Sequence, residues 1–194
     1  SCRGIPIEID LQEEDFFRID SEKIKNSITK KTKAIIINSP HNPTGSVLTE
    51  SHVRNIYQLA EQYDLILISD EVYGRMIFSD SSSGFHSPSS YDHCLKRTIL
   101  VHSLSKTYAM TGWRIGAVTG PENIITKMAL LYETITSCTA PFIQYAAVEA
   151  MMNANDETYK MVSKYQSRRD AMIDGLNKIN GINCLKPEGA FYVF

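Results

Sequence analysis

Four short apolar runs punctuate this chain, at residues 34–37, 65–68, 98–102 and 115–119. The first, AIII, has no polar face, as expected of a strand buried on both sides of a parallel sheet. Between the runs the apolar positions fall at helical spacing. Thr49 is placed to cap a helix carrying Val53, Ile56, Tyr57 and Ala60 on one stripe. Ser21 is placed to cap a helix over 22–28. Pro121 stands at a first helical position before a core stripe of Ile124, Met128, Leu131, Tyr132 and Ile135, and Pro141 opens a helix with Phe142, Ala146, Ala147 and Ala150. A long helix then starts at Asn155 or Asp156 and runs to about residue 180, with Val162, Tyr165, Met172, Ile173, Leu176 and Ile179 at helical spacing and Gly181 ending it.

The ends are less regular. Ile5, Ile7 and Ile9 alternate as in a short strand or extended connection, and 182–194 is strand-like around a Pro/Gly turn. The first residue is not Met and the last two are Val193 and Phe194, so the chain reads as a fragment. Residues 79–90 form a Ser-, Gly- and Pro-rich surface loop within one domain. Strand, helix and strand in this order predict an α/β fold with a mostly parallel sheet and right-handed crossovers.

Composition narrows the function. The 194 residues are 43% hydrophobic and 22% charged with a net charge of −2, which excludes a basic nucleic-acid surface. Lys30, Lys31 and Lys33 read as a solvated approach to the next strand. The apolar runs are strand-sized, so no membrane span is expected, and a soluble cytoplasmic protein is. Cys2, Cys94, Cys138 and Cys184 are irregularly spaced and read as reduced thiols, and His41, His52, His86, His93 and His102 show no ligand spacing, so no metal is expected.

The chemistry is concentrated after three of the strands, where ligands of open α/β sheets bind. HNPTG at 41–45 supplies an amide and backbone donors, SDEVY at 69–73 a carboxylate and a phenol. SLSKTYAMTGWRIG at 103–116 supplies the Lys106 amine, the Ser103 and Ser105 hydroxyls and the Arg114 guanidinium. Converging, these groups would hold a flat, polar, phosphorylated aldehyde. Each has a plainer rival: Asp70 could cap the segment after its strand, Asn42 and Gly45 could merely make a turn, and Ser105 could satisfy backbone groups. Glu71, Trp113, Tyr108 and His41 read as structural, and Arg168 and Arg169 as solvent-facing on the long helix.

NPTG, SDEVY and SLSKTYAMTGWRIG in this order resemble the signature of the class I/II pyridoxal-phosphate-dependent aminotransferases of the aspartate aminotransferase fold, and PEGAFY at 187–192 fits the family's general run. The resemblance implies a three-layer α/β/α large domain of fold type I, here residues 1–155, followed by a connecting helix and the start of a smaller α+β domain in 156–194. It implies pyridoxal 5'-phosphate as cofactor, an amino acid and a 2-oxo acid as substrates, and a homodimer. Lys106 matches the lysine that forms the internal aldimine and shuttles the substrate proton, work an amine does only when neutral. Asp70 matches the partner of the pyridine nitrogen, Tyr73 and Asn42 the pair on the phenolic oxygen, and Ser103, Ser105 and Arg114 the phosphate ligands. The family's upstream glycine-rich turn and ring-stacking aromatic, and its downstream substrate-carboxylate arginine, have no counterpart here. Two other readings remain open: a carbon–sulfur β-lyase or aminocyclopropane-carboxylate synthase with the same cofactor, and a catalytically incomplete, pyridoxal-phosphate-binding fragment acting only as a folded domain.

Overall fold

The structure, a computed structural model, describes residues 4–93 and 95–194. Strands β1 (Ala34–Asn38), β2 (Ile66–Asp70) and β3 (Thr98–Ser103) run parallel, and β4 (Gly116–Thr119) returns antiparallel to β3, giving the order β1-β2-β3-β4. Helices α1 (Ser21–Ser27) and α2 (Glu50–Gln62) lie between the polar loops and the next strands. Thr49 caps α2 as expected, and Val53, Ile56, Tyr57, Leu59 and Ala60 bury its inner face against Ile35, Ile37 and Leu67. Asp20, not Ser21, caps α1: its carboxylate accepts from Glu22 N and Ser21 becomes the first helical residue.

β1 corrects one expectation. It is buried on one face only; Ile36 is 70% exposed, because α1 and α2 pack on the opposite face, against Ile35 and Ile37. The later helices are α3 (Leu104–Thr107), α4 (Glu122–Thr136), α5 (Pro141–Asn153) and α6 (Asn155–Leu176). The stripe foreseen as core on α4 is open as well, with Leu131 59% and Ile135 73% exposed; no described element covers that face. Pro121 flanks α4 instead of opening it, whereas Pro141 is the first residue of α5. α6 ends a turn before residue 180, and Gly181 follows at φ +85°.

What positions the site is how the C-terminal segment is seated. Phe78 N donates to Glu188 O (2.9 Å), Ala190 N to Met76 O (2.8 Å), and Glu188 N and Gly189 N both donate to Gly45 O (3.0 Å each). Residues 187–190 thus run between the 41–46 loop and the 76–80 segment. Gly45 sits at φ +69°, and a Cβ there would run into Pro187 Cβ and stand 2.9 Å from Gly189 O. Arg169 of α6 holds the same segment from the other side. It forks onto Asp80 (3.0 and 2.7 Å), donates to Pro187 O (2.9 Å), pairs with Asp170 (2.7 Å) and lies over the Phe78 ring. Lys186 adds a second cation on Asp80 (2.7 Å), and Arg18 binds Glu188 (2.6 Å).

Gly45→Ala combines a left-handed backbone with a collision against Pro187, and is expected to destabilise the fold by about 2–3 kcal/mol in urea unfolding. Asp80→Ala leaves the buried Arg169 with Asp170 and one carbonyl. The expected cost at pH 7 is about 1–2 kcal/mol, less than for a fully buried pair because Asp80 itself is partly solvated. Arg169 first, and Lys186 second, hold the Asp80 carboxyl well below the usual carboxylate range. Its contribution is therefore complete above the unfolded-chain value of about 4 and fades as pH falls through the lower native value. The difference between wild type and Asp80→Ala should shrink steadily in unfolding curves taken from about pH 5 to pH 2; a constant difference would contradict this account.

Candidate active site

The parallel register sets Asn38 opposite Asp70 and Asp70 opposite Val101, so the three strands finish along one edge. Asn38 is the hinge of the first loop: its amide donates to Asp70 O (3.0 Å) while its side-chain oxygen accepts from Asn42 N (2.8 Å). The loop contains cis peptide bonds at Ser39-Pro40 and Asn42-Pro43 and closes on itself through Gly45 N to His41 O (2.8 Å). The Asn42 side chain points outward, exposed and free of hydrogen bonds among the described residues. His41 is satisfied locally, its ring nitrogen 2.8 Å from Thr44 Oγ1.

Asp70, the last residue of β2, is half-buried. Oδ1 accepts from Val72 N (3.1 Å), so the capping role is real. Oδ2 has no protein partner among the described residues and remains for a ligand. Glu71, next along, is buried and serves structure: Ser69 and Ser87 hydroxyls donate to it (3.0 and 2.6 Å), and burial raises its pKa.

Tyr73 is buried, with its hydroxyl 2.5 Å from that of Tyr192 and its ring edge-on to Phe191 and Tyr192. Burial pushes the Tyr73 phenol well above its ordinary pKa. No hydrogen bond joins Tyr73 to Asn42.

β3 runs into α3 through Ser103, whose Oγ accepts from Ser105 N (3.1 Å), the usual bond of an N-cap serine. Leu104 anchors the turn in a cluster with Met110 and Ala147, and Thr107 O accepts from Thr158 Oγ1 of α6 (2.9 Å). Between these anchors stands Lys106, half-buried, its Nζ 5.3 Å from the Phe191 ring centre and without an ion pair among the described residues. Ser105 is buried in the same turn. Arg114 adopts the left-handed conformation (φ 53°) just before β4, exposed, its guanidinium bonded among the described residues only to Thr111 O (2.8 Å). Pairing of Ser103 with Gly116, and Leu104 N to Ile115 O (3.3 Å), bring Arg114 to the corner occupied by the two serines.

The structure therefore gathers Ser103, Ser105, Lys106 and Arg114 at one corner, links Asp70 and Asn42 through Asn38, and brings Tyr73 to Lys106 through Phe191. Among the described residues, two cations without an ion pair, a carboxylate oxygen without a partner and the Ser105 hydroxyl form a polar set that fits an anionic, heteroaromatic ligand, while Ser103 Oγ is already bonded to Ser105 N and Ile115 O. A cleft of about 380 Å³ opens beside Asn38, His41 and Asp70; Lys106 and Tyr73 lie outside its lining. Among the described residues no three His, Cys, Asp or Glu side chains gather as a metal site would, and no helix is long and apolar enough to cross a membrane. Cys138 and Cys184 are free; Cys2 and Cys94 lie outside the described residues.

Some assignments change. Arg169, expected to face solvent, is 5% exposed. It shares the stripe of Val162 and Ile173, seven residues after one and four before the other, a signal the helical spacing already carried. Trp113 is 42% exposed, so it does not pack into a core. Tyr108 accepts from Arg75 (2.9 Å). Phe191 and Tyr192 entered the sequence reading only as part of PEGAFY; a strand-like tail has no periodicity that would place it beside Lys106.

The chain spans about half the length of the curated relatives it matches. It is 43% identical over 193 residues to an aspartate aminotransferase of Pyrococcus abyssi, covering 98% of this chain and 49% of that protein. It is 39% identical over 194 residues to a probable aspartate/prephenate aminotransferase of Aquifex aeolicus, covering 98% and 49%. Among solved structures, the aromatic aminotransferase from Pyrococcus horikoshii superimposes with a TM-score of 0.91 at 42% identity, over 97% of this chain and 50% of that one. The Rhizobium meliloti aspartate aminotransferase gives 0.93 at 34% identity, over 99% and 48%. The family model for aminotransferase class I and II matches residues 1–194. Motif order, sheet topology and these likenesses agree, and the chain belongs to the class I and II aminotransferase family.

Proposed function

We propose that the protein carrying this chain is a pyridoxal-phosphate-dependent aminotransferase that moves an amino group between an L-amino acid and a 2-oxo acid. The observation that carries the reading is Lys106: a half-buried amine without a carboxylate partner among the described residues, on a turn it shares with two serines and beside an arginine equally free of acid. A lysine kept for a salt bridge would have found an acid. One kept for covalent chemistry is better without one.

Pyridoxal phosphate, when bound, supplies an aldehyde for the amine and a ring that accepts electrons as the substrate Cα–H bond breaks. The chain's own residues supply the rest. Lys106 Nζ, when neutral, takes the Cα proton and returns it. Asp70 Oδ2 would hold the ring nitrogen by a charge-assisted hydrogen bond. Tyr73 and Asn42 would donate to the phenolic oxygen, Asn42 by a turn of its free side chain. Arg114, with Ser103 and Ser105, would hold the phosphate; of these Ser103 Oγ is already engaged as a cap and Arg114 has the most free donors. The relatives' names favour amino transfer over the lyase and synthase readings. We place the boundary of the cofactor-holding domain at 155, with 156–194 opening the next one. The reading brings with it a homodimer and a cytoplasmic location, and the apolar exposure of α4 and α5 supports association.

The whole protein, mixed with pyridoxal phosphate and reduced with borohydride, should carry the label on Lys106 by peptide mass. Lys106→Ala should fold with unchanged circular dichroism and take no label there; a domain that holds no cofactor would label neither protein. Arg114→Ala should weaken pyridoxal phosphate binding by about 10- to 100-fold, the worth of a charged hydrogen-bond pair, and leave binding of phosphate-free pyridoxal unchanged. Equal losses for both ligands in calorimetry would remove Arg114 from the phosphate site.

A further inference from the structure

The two aromatic residues after Ala190 stand against both candidate catalytic groups. The Phe191 ring lies under Lys106 Nζ (5.3 Å) and edge-on to Tyr73 (5.5 Å), and Tyr165 of α6 stacks behind it (5.5 Å). The Tyr192 hydroxyl meets that of Tyr73 at 2.5 Å. Their placement is fixed upstream, where Pro187 O is held by Arg169, Glu188 N and Gly189 N by Gly45 O, and Ala190 N by Met76 O.

A phenol has one proton to give and two positions at which to accept. Two hydroxyls at this distance share one hydrogen bond, and only one of them uses its proton in it. If Tyr73 used its own, it would have none for a ligand. If Tyr192 does, the Tyr73 proton stays free and the polarised Tyr73 oxygen makes it a better donor.

We propose that Tyr192 is a positioning residue for Tyr73: its hydroxyl donates to the Tyr73 oxygen, sets the direction of that hydroxyl and leaves the Tyr73 proton for the phenolic oxygen of the bound cofactor. The hydroxyl pair stands by itself; the donation to cofactor rests on the aminotransferase reading. The other charged or titratable groups around Tyr73 are Asp70 at the end of β2, Lys106 across Phe191, Tyr165 behind Phe191, and Arg75, which is engaged with Tyr108 and Asn155. None of them bonds the Tyr73 hydroxyl.

The test uses the whole protein with Tyr192→Phe, Tyr73→Phe and both, changes that keep the rings. In protein loaded with pyridoxal phosphate, losing a donor to the phenolic oxygen raises the pH midpoint of the visible absorbance change. Tyr192→Phe should raise it by about half a pH unit in the presence of Tyr73 and leave it unmoved in the Tyr73→Phe background. No rise, or the same rise without Tyr73, overturns the proposal. In cofactor-free protein with labelled tyrosine Cζ, Tyr192→Phe should make Tyr73 ionise at higher pH, because the Tyr73 phenolate loses the hydroxyl that donates to it; a shift to lower pH would make Tyr73 the donor and overturn the proposal. An unchanged Tyr73 titration overturns the hydroxyl pair. If that titration moves but Lys106 takes no cofactor even in the unmutated protein, the aminotransferase reading is what fails, and the donation step is overturned with it.

Discussion

Parallel strands all end on the same side of their sheet, and the rest of this molecule follows from that polarity. With Asn38 opposite Asp70 and Asp70 opposite Val101, three loops that are far apart in sequence leave the sheet within two strand spacings of one another. The apolar interiors of the strands need only pair; the polar side chains that follow them are delivered to one edge without any contact of their own. This is why an amide, a carboxylate and an amine can be gathered with few hydrogen bonds among themselves, leaving them available to a ligand.

Delivery to an edge is not yet orientation. That comes from small local devices whose cost is met elsewhere in the fold. Asn38 bridges β2 and the 41–46 loop, Ser103 caps the turn that presents Lys106, and Arg114 is turned by a left-handed backbone just before β4. The C-terminal segment then fills the side of the site, seated between Gly45 and Met76 and tied by Arg169. A buried guanidinium is expensive, but here it satisfies two carboxylates and a carbonyl at once, which makes the position of residues 187–190 specific as well as stable.

The apolar faces of α4 and α5 show the limit of periodicity as a guide. The stripe from Ile124 to Ile135 has the spacing of a core face, yet Met128, Leu131, Tyr132 and Ile135 are exposed, as are Phe142, Tyr145 and Met152 on α5. Spacing states which face requires cover; it does not state what provides it. β1 teaches the same lesson in a strand, where AIII reads as buried on both sides and Ile36 is open.

The sequence by itself determined the four strands to within a residue or two, the α2 stripe, the Thr49 cap and the family, because these depend on local periodicity, capping chemistry and motif order. It also named Lys106, Asp70, Tyr73, Asn42, Ser103, Ser105 and Arg114, since each follows a strand and carries distinctive chemistry. Only the tertiary structure decided that Asp20 caps α1, that Arg169 is buried on Asp80, and that Phe191 and Tyr192 stand against Lys106 and Tyr73. The physical reason is range: a cap or an amphipathic stripe is read within one or two turns of chain, whereas a contact 119 residues apart exists only once the sheet has set both partners in place.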